Sequence, residues 1–233
     1  MIFRKLLIAG CLLFYSHFFA QFYDAGLWSE ISLQYKVSKP TDVAFSPEFR
    51  LDENASRVSR VFCDFGVQYK VSSGVSLSCV YRSGMAHDYD DTEFRQRIQM
   101  GAAFKWKGKK WTLAYLPRWQ VSVRGVGEYD ADLSTLMRNR FQVKWDLPQK
   151  FELSSYAEFF HSTGTFDFAD WQSWRANCML SKNLKGPHSF ALGYLVQHQF
   201  SSQVPLTDFV IVTSYRIDLE RLKKDEKSQV FSP

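Results

Sequence analysis

VFCDFGVQYKVSSGVSLSCVY, residues 61–81, decides the fold. Two runs of alternation flank Ser72-Ser73-Gly74. Cys63, Phe65, Val67, Tyr69 and Val71 share one face of the first run, and Asp64, Gly66, Gln68 and Lys70 share the other. On the second run Val75, Leu77, Cys79 and Tyr81 oppose Ser76, Ser78 and Arg82. Strand side chains alternate with a period of two, so the stretch predicts a hairpin with one apolar and one polar face.

The unit repeats outward in both directions. Runs at Leu27–Lys36, Val43–Asp52, Phe94–Trp106, Trp111–Val121, Leu136–Leu147, Phe151–Phe160, Trp171–Ser181, Phe190–Val196 and Phe209–Leu219 alternate the same way, giving eleven readable strands. Pro47 and Pro117 fall inside runs; neither can donate to a ladder, so a bulge or an unpaired position is expected at each. Connections alternate between short ones carrying lysine (near 38, 73, 108, 149 and 185) and long ones carrying acid (near 56, 88, 128, 165 and 203). In an up-and-down sheet these gather at opposite ends, as in outer-membrane barrels.

The chain has 233 residues, enough for one barrel or sandwich, with 17% aromatics and a mean hydropathy of −0.26. After the first twenty residues no apolar run reaches the roughly 18 that a membrane helix needs. Residues 1–20 read as a signal peptide, with Arg4 and Lys5, an apolar Leu6–Phe19 and a cut after Ala20. Ile8-Ala9-Gly10-Cys11 has the form of a lipoprotein box, but the apolar stretch before Cys11 is very short and no polar tether follows it. Removing the leader lowers the formal net charge of +5 by two, too mild a balance to argue for nucleic acid. The mature cysteines, Cys63, Cys79 and Cys178, are odd in number and lie on apolar faces, so free thiols are expected. The organisation expected is a leader at 1–20, a barrel at 21–219 and a polar tail at 220–233.

A soluble sandwich also alternates its faces. Runs of ten to twelve residues are near the length that crosses a bilayer when tilted, against about five or six in soluble strands. Tyr35, Tyr69, Trp106, Trp111, Trp145 and Phe151 would form one aromatic belt beside the short turns. Arg95, Arg97, Arg138 and Arg140 share the polar parity, and an arginine on a lipid face costs roughly 2–4 kcal/mol at midplane, so that parity belongs in the lumen. The fold class expected is an all-β, antiparallel up-and-down transmembrane barrel of 10–12 strands. A lipocalin-like cup would need an apolar interior instead. Because bacterial single-chain barrels have even counts, either the first run stands outside the ring or a twelfth strand lies near Gln21.

GLWSEISLQYKV, EFRLDENASRVSRVFCDFGVQYKV and RQRIQMGAAFKW resemble an uncharacterised Bacteroidota family of outer-membrane barrels known only as a domain of unknown function. Arg50-Leu51-Asp52, Ser56-Arg57 and Asp64-Phe65-Gly66 at this spacing are the most specific part. The resemblance implies a β-barrel and supplies no activity or catalytic residue. The polar tail after Leu219 departs from barrels that end on an aromatic residue.

The candidate lumen residues are Glu30, Glu48, Arg50, Arg82, Arg95, Arg97, Arg118, Arg138, Arg140, Glu152, Glu158 and Arg175. They could line an anion path or form a salt-bridged filling; ten to twelve strands lie near the filled end of the barrel range. His161-Ser162-Thr163-Gly164 faintly resembles the site of outer-membrane phospholipase A, which offers a lipid-modifying hydrolase as the alternative. Adjacent residues of a strand point to opposite faces, which works against it. Asp90-Asp91 and Glu128, Asp130 and Asp132 read as solvated loop acids, and no metal or cofactor is expected. A bacterial outer-membrane protein would meet membrane lipid, lipopolysaccharide and the barrel-assembly machinery, and no nucleic acid. It would be non-catalytic, with a structural or binding role or a narrow pore.

Overall fold

Eleven strands close into one ring in the computed structural model, which describes residues 22–88, 91–126, 130–163, 171–200 and 206–220. The expected leader, the tail beyond 220 and Asp90 and Glu128 lie outside these residues. In chain order the strands are β1 (Phe22–Lys36), β2 (Thr41–Asp52), β3 (Arg57–Lys70), β4 (Val75–Asp88), β5 (Asp91–Lys107) and β6 (Trp111–Val126). Then come β7 (Asp130–Asp146), β8 (Phe151–Ser162), β9 (Trp171–Asn183), β10 (His188–Gln199) and β11 (Leu206–Asp218). Each strand pairs antiparallel with its neighbours in sequence. The ring closes where β1 pairs with β11 in parallel, from Phe22 beside Leu206 to Gln34 beside Asp218.

That closure corrects the even count. The first run is neither outside the ring nor joined by a twelfth strand among the described residues. β1 and β11 both run from the loop end to the short-turn end. An odd number of crossings leaves the two ends of the described chain at opposite ends of the barrel, so the closing pair has to be parallel. Parallel ladders are slightly weaker per residue, and this seam carries a side-chain tie, Ser29 Oγ to Thr213 Oγ1 at 2.8 Å.

The hairpin of 61–81 folds as its alternation dictates, with Phe65 opposite Tyr81 and Val67 opposite Cys79. Cys63 pairs with Ser83, four positions from Cys79, and all three described cysteines are free. Both strand prolines interrupt one ladder. The β1–β2 pairing skips from Glu30–Glu48 to Leu33–Phe45, passing Pro47, and Ser46 donates to Ser32 Oγ at 2.9 Å in the gap. The β5–β6 pairing skips from Gly101–Arg118 to Phe104–Tyr115, passing Pro117. The register is unchanged across each gap, because a missing N–H removes a rung without adding a residue.

Two stretches expected as long loops are strand instead. β4 and β5 continue to Asp88 and Asp91, and β6 and β7 run to Val126 and from Asp130. Their polar composition reflects hairpins that extend the wall at the loop end, not an absence of pairing. The connection at 53–56 is also short. Glu53, Asn54 and Ala55 sit in succession at φ 54°, 57° and 59°, a left-handed arch that side chains disfavour. The Asp24 carboxylate holds the arch by accepting from the Glu53 and Asn54 N–H groups, each at 3.0 Å. Asp24→Ala is expected to lower stability by about 1–3 kcal/mol and to open 53–56 to limited proteolysis. Unchanged cleavage would show that the arch holds itself.

The wall sorts its side chains by solvent. Outward positions of β5 run from Trp106 through Phe104, Met100 and Ile98 to Phe94, all exposed. That span is about 30 Å along the axis at a tilt of about 40°. Among the described residues, one outward strand position carries a charge: Lys182, at the short-turn end of β9, with its Nζ 4.7 Å from the centre of the Phe151 ring. Polar outward groups pair with each other: Tyr115 donates to Asn139 Oδ1 at 2.8 Å, and His198 Nδ1 meets Thr207 Oγ1 at 2.9 Å. Of the expected belt at the short turns, Tyr69, Trp106, Trp111 and Trp145 are exposed, with Trp111 directly opposite Trp145. The sequence reading missed a second aromatic set, Phe49, Phe94 and Trp171, near the loop end.

Candidate functional site

Eleven strands about 4.8 Å apart and tilted about 40° make a ring about 22 Å across at the backbone. Alternation puts one inward residue on every second position, so the polar parity supplies the filling.

Two carboxylates organise it. Glu158 on β8 is fully buried, 3.0 Å from Arg138 and Arg140 of β7, and 3.9 Å from Arg175 of β9. Glu48 on β2 bonds Arg50 on its own strand and Arg82 of β4, and Arg82 also bonds Asp64 of β3. Inward aromatic rings bridge the clusters. The Arg50 guanidinium lies 3.7 Å from the centre of the Trp28 ring, and Arg175 approaches the same ring at 5.0 Å. Phe160 stands between Arg138 and Arg175, at 4.8 and 5.1 Å, and Phe62 sits under Arg82 at 4.9 Å. Arg138 continues the chain to Gln120 Oε1, which also accepts from Gln99 at 2.9 Å. A belt of guanidinium, carboxylate and ring thus runs around the inside of the barrel, joined through Trp28.

The charges of this belt are buried. Arg50 and Arg82 are 8% exposed, Glu48 7% and Arg138 5%. Charges lining an open aqueous channel would be wet. Dry charges are sustained only by pairing and hydrogen bonding, since the penalty per unpaired ion is several kcal/mol. Shared carboxylates and cation–ring contacts supply that pairing.

The remaining candidates lie off the belt or lack its pairing. Glu30 stands opposite Glu48 on the neighbouring strand. Arg95 pairs with Glu93 towards the loop end, and Glu152 with Lys144 at 2.8 Å towards the short turns. Arg97 and Arg118 have no ion pair among the described residues, and Arg97 Nε is buried with no hydrogen-bond partner there. Sequence reasoning left out Trp28, Phe62, Phe160, Arg60, Asp64 and Gln120. Each stands on the polar parity of its strand, and that parity was the available signal.

His161 and Ser162 are consecutive residues of β8, where side chains alternate faces. A register shift between Phe160 and His161 places His161 opposite Trp171, with the two rings 5.4 Å apart on the outer face. Among the described residues no cluster of three or more His, Cys, Asp or Glu side chains could hold a metal.

A comparison with curated proteins returns no match. The family described as a protein of unknown function, DUF2490, matches residues 25–205, which is β1 through β10 and thus most of the ring. The chain belongs to that family, a domain of unknown function carried here on a closed eleven-stranded barrel.

Proposed function

We propose that this chain is a bacterial outer-membrane barrel with a structural or binding role, non-catalytic and sealed at mid-height by its arginine belt. One observation carries the location: an apolar band, bounded by aromatic sets and about as tall as a bilayer core, with its one outward charge among the described residues, Lys182, at the short-turn edge. Exposed apolar surface on that scale is unfavourable in water and favourable in hydrocarbon. The belt supports sealing over conduction, because its charges are buried. His161 stacked against Trp171 faces away from the lumen and supports a non-catalytic role. Membrane lipid and lipopolysaccharide are then the surrounding solvent, and the barrel-assembly machinery is the inserting partner.

Fractionation with heat-modifiable gel mobility tests the location. The protein is expected in the outer-membrane fraction and to shift on boiling; recovery in the soluble periplasm would contradict the proposal. In planar bilayers the purified barrel is expected to pass no steady current in potassium chloride at either polarity. Stable open-channel steps would contradict the seal.

A further inference from the structure

Above the belt, towards the loop end, the lumen holds a cavity of about 150 Å³. Six arginines line it, Arg50, Arg60, Arg82, Arg95, Arg97 and Arg124. Its counter-charge is already in use: Glu48 and Asp64 hold Arg50 and Arg82, and Glu93 holds Arg95. Arg60 has Asp52 and Asp208 in its field. Arg97 has no ion pair among the described residues. The charges that act on it most strongly include Arg82, Arg138 and Arg50, and the acid among them, Asp64, bonds Arg82. Its Nε is buried and unpartnered.

The strand register supplies the rest of a site. Arg97 pairs with Ser122 of β6, and Ser122 pairs with Ser134 of β7, so one arginine and two serines are cross-strand neighbours on the lumen wall. Both serines line the same cavity. Gln120 donates to Ser122 Oγ at 2.9 Å, which leaves the Ser122 hydroxyl proton free to point into the cavity. A planar fork of N–H groups flanked by hydroxyl donors matches the oxygens of a tetrahedral anion. A volume equal to roughly five waters admits one such group and no large ligand.

We propose that this vestibule binds a single phosphate group, held by Arg97, Ser122 and Ser134 and reached from the loop end of the barrel. The group is either free phosphate or a phosphomonoester on a lipid such as lipid A. The site requires only the closed barrel with its polar interior. A chain found outside the membrane would remove the proposed location and leave this site standing.

The test uses the full-length mature barrel in zwitterionic detergent micelles at low salt, titrated calorimetrically with inorganic phosphate and, separately, with lipid A. Saturable one-to-one binding is expected, weakened at least tenfold by Arg97→Gln and unchanged by Lys144→Gln at the opposite end. Heat-modifiable mobility reports whether each variant is folded; if Arg97→Gln is not, the Ser122→Ala/Ser134→Ala pair takes its place with the same expected loss. Phosphate binding with this pattern assigns a soluble source, and binding of lipid A alone with this pattern assigns a lipid source. No saturable binding of either probe, or binding that the site variants leave intact, would overturn the proposal.

Discussion

Glu158→Leu is expected to destabilise the barrel by about 3–5 kcal/mol, the range for removing one partner of a buried ion pair. The loss is large because one carboxylate serves three guanidinium groups, Arg138, Arg140 and Arg175, and is fully buried. Leucine fills much of the volume, so the effect isolates the uncompensated charge from the loss of packing. Arg138→Met added to Glu158→Leu should recover part of the loss. The two changes together then cost less than their sum, the signature of a direct coupling. Recovery should be incomplete, since Arg140 and Arg175 remain without their acid. Urea unfolding in lipid vesicles measures each term. A single variant within about 0.5 kcal/mol of the parent, the usual size for an inconsequential surface change, would mean that the belt is hydrated and the charges are not dry.

Met100→Arg probes the other face. Met100 points outward near the middle of β5 and is 53% exposed, flanked along the strand by Ile98 and, two steps beyond Ala102, by Phe104. In water such a change is nearly neutral. In hydrocarbon it is expected to cost about 2–4 kcal/mol and to slow insertion into vesicles. The same substitution thus reads out which solvent the band meets. A neutral result in vesicles, with insertion unimpaired, would place the apolar face elsewhere than in lipid.

The two faces differ in how much of them the sequence could reveal. Alternation in Val61–Tyr81 settles which residues face inward, because a period of two leaves no intermediate choice. The same parity carries Arg82, Arg138, Glu158 and Arg175 into the lumen. Parity says nothing about height or about which strands meet across the barrel. Glu158 with Arg138 is a neighbouring-strand pair, within reach of a register guess. Trp28 joining Arg50 to Arg175 depends on ring closure, and a tryptophan on a polar parity invites dismissal as an exception. The expectation of an even count failed at the same place, although eleven lies within the ten to twelve strands expected. Evenness is a habit of bacterial barrels, whereas the pairing of Leu27–Lys36 with both β2 and β11 follows from its own alternation and length. The polar composition at the loop-end tips of β4 to β7 predicts loops, whereas a wall that rises beyond the apolar band needs no apolar residues.

The barrel carries its own reporters of which side is dry. Cys79 and Cys178 are free, exposed and outward on β4 and β9. In lipid vesicles, a sulfonated maleimide should leave both unmodified for as long as the heat-denatured chain takes to label completely, with peptide masses identifying the positions. Rapid labelling of Cys79 and Cys178 in folded barrels within vesicles would put water where the fold requires hydrocarbon.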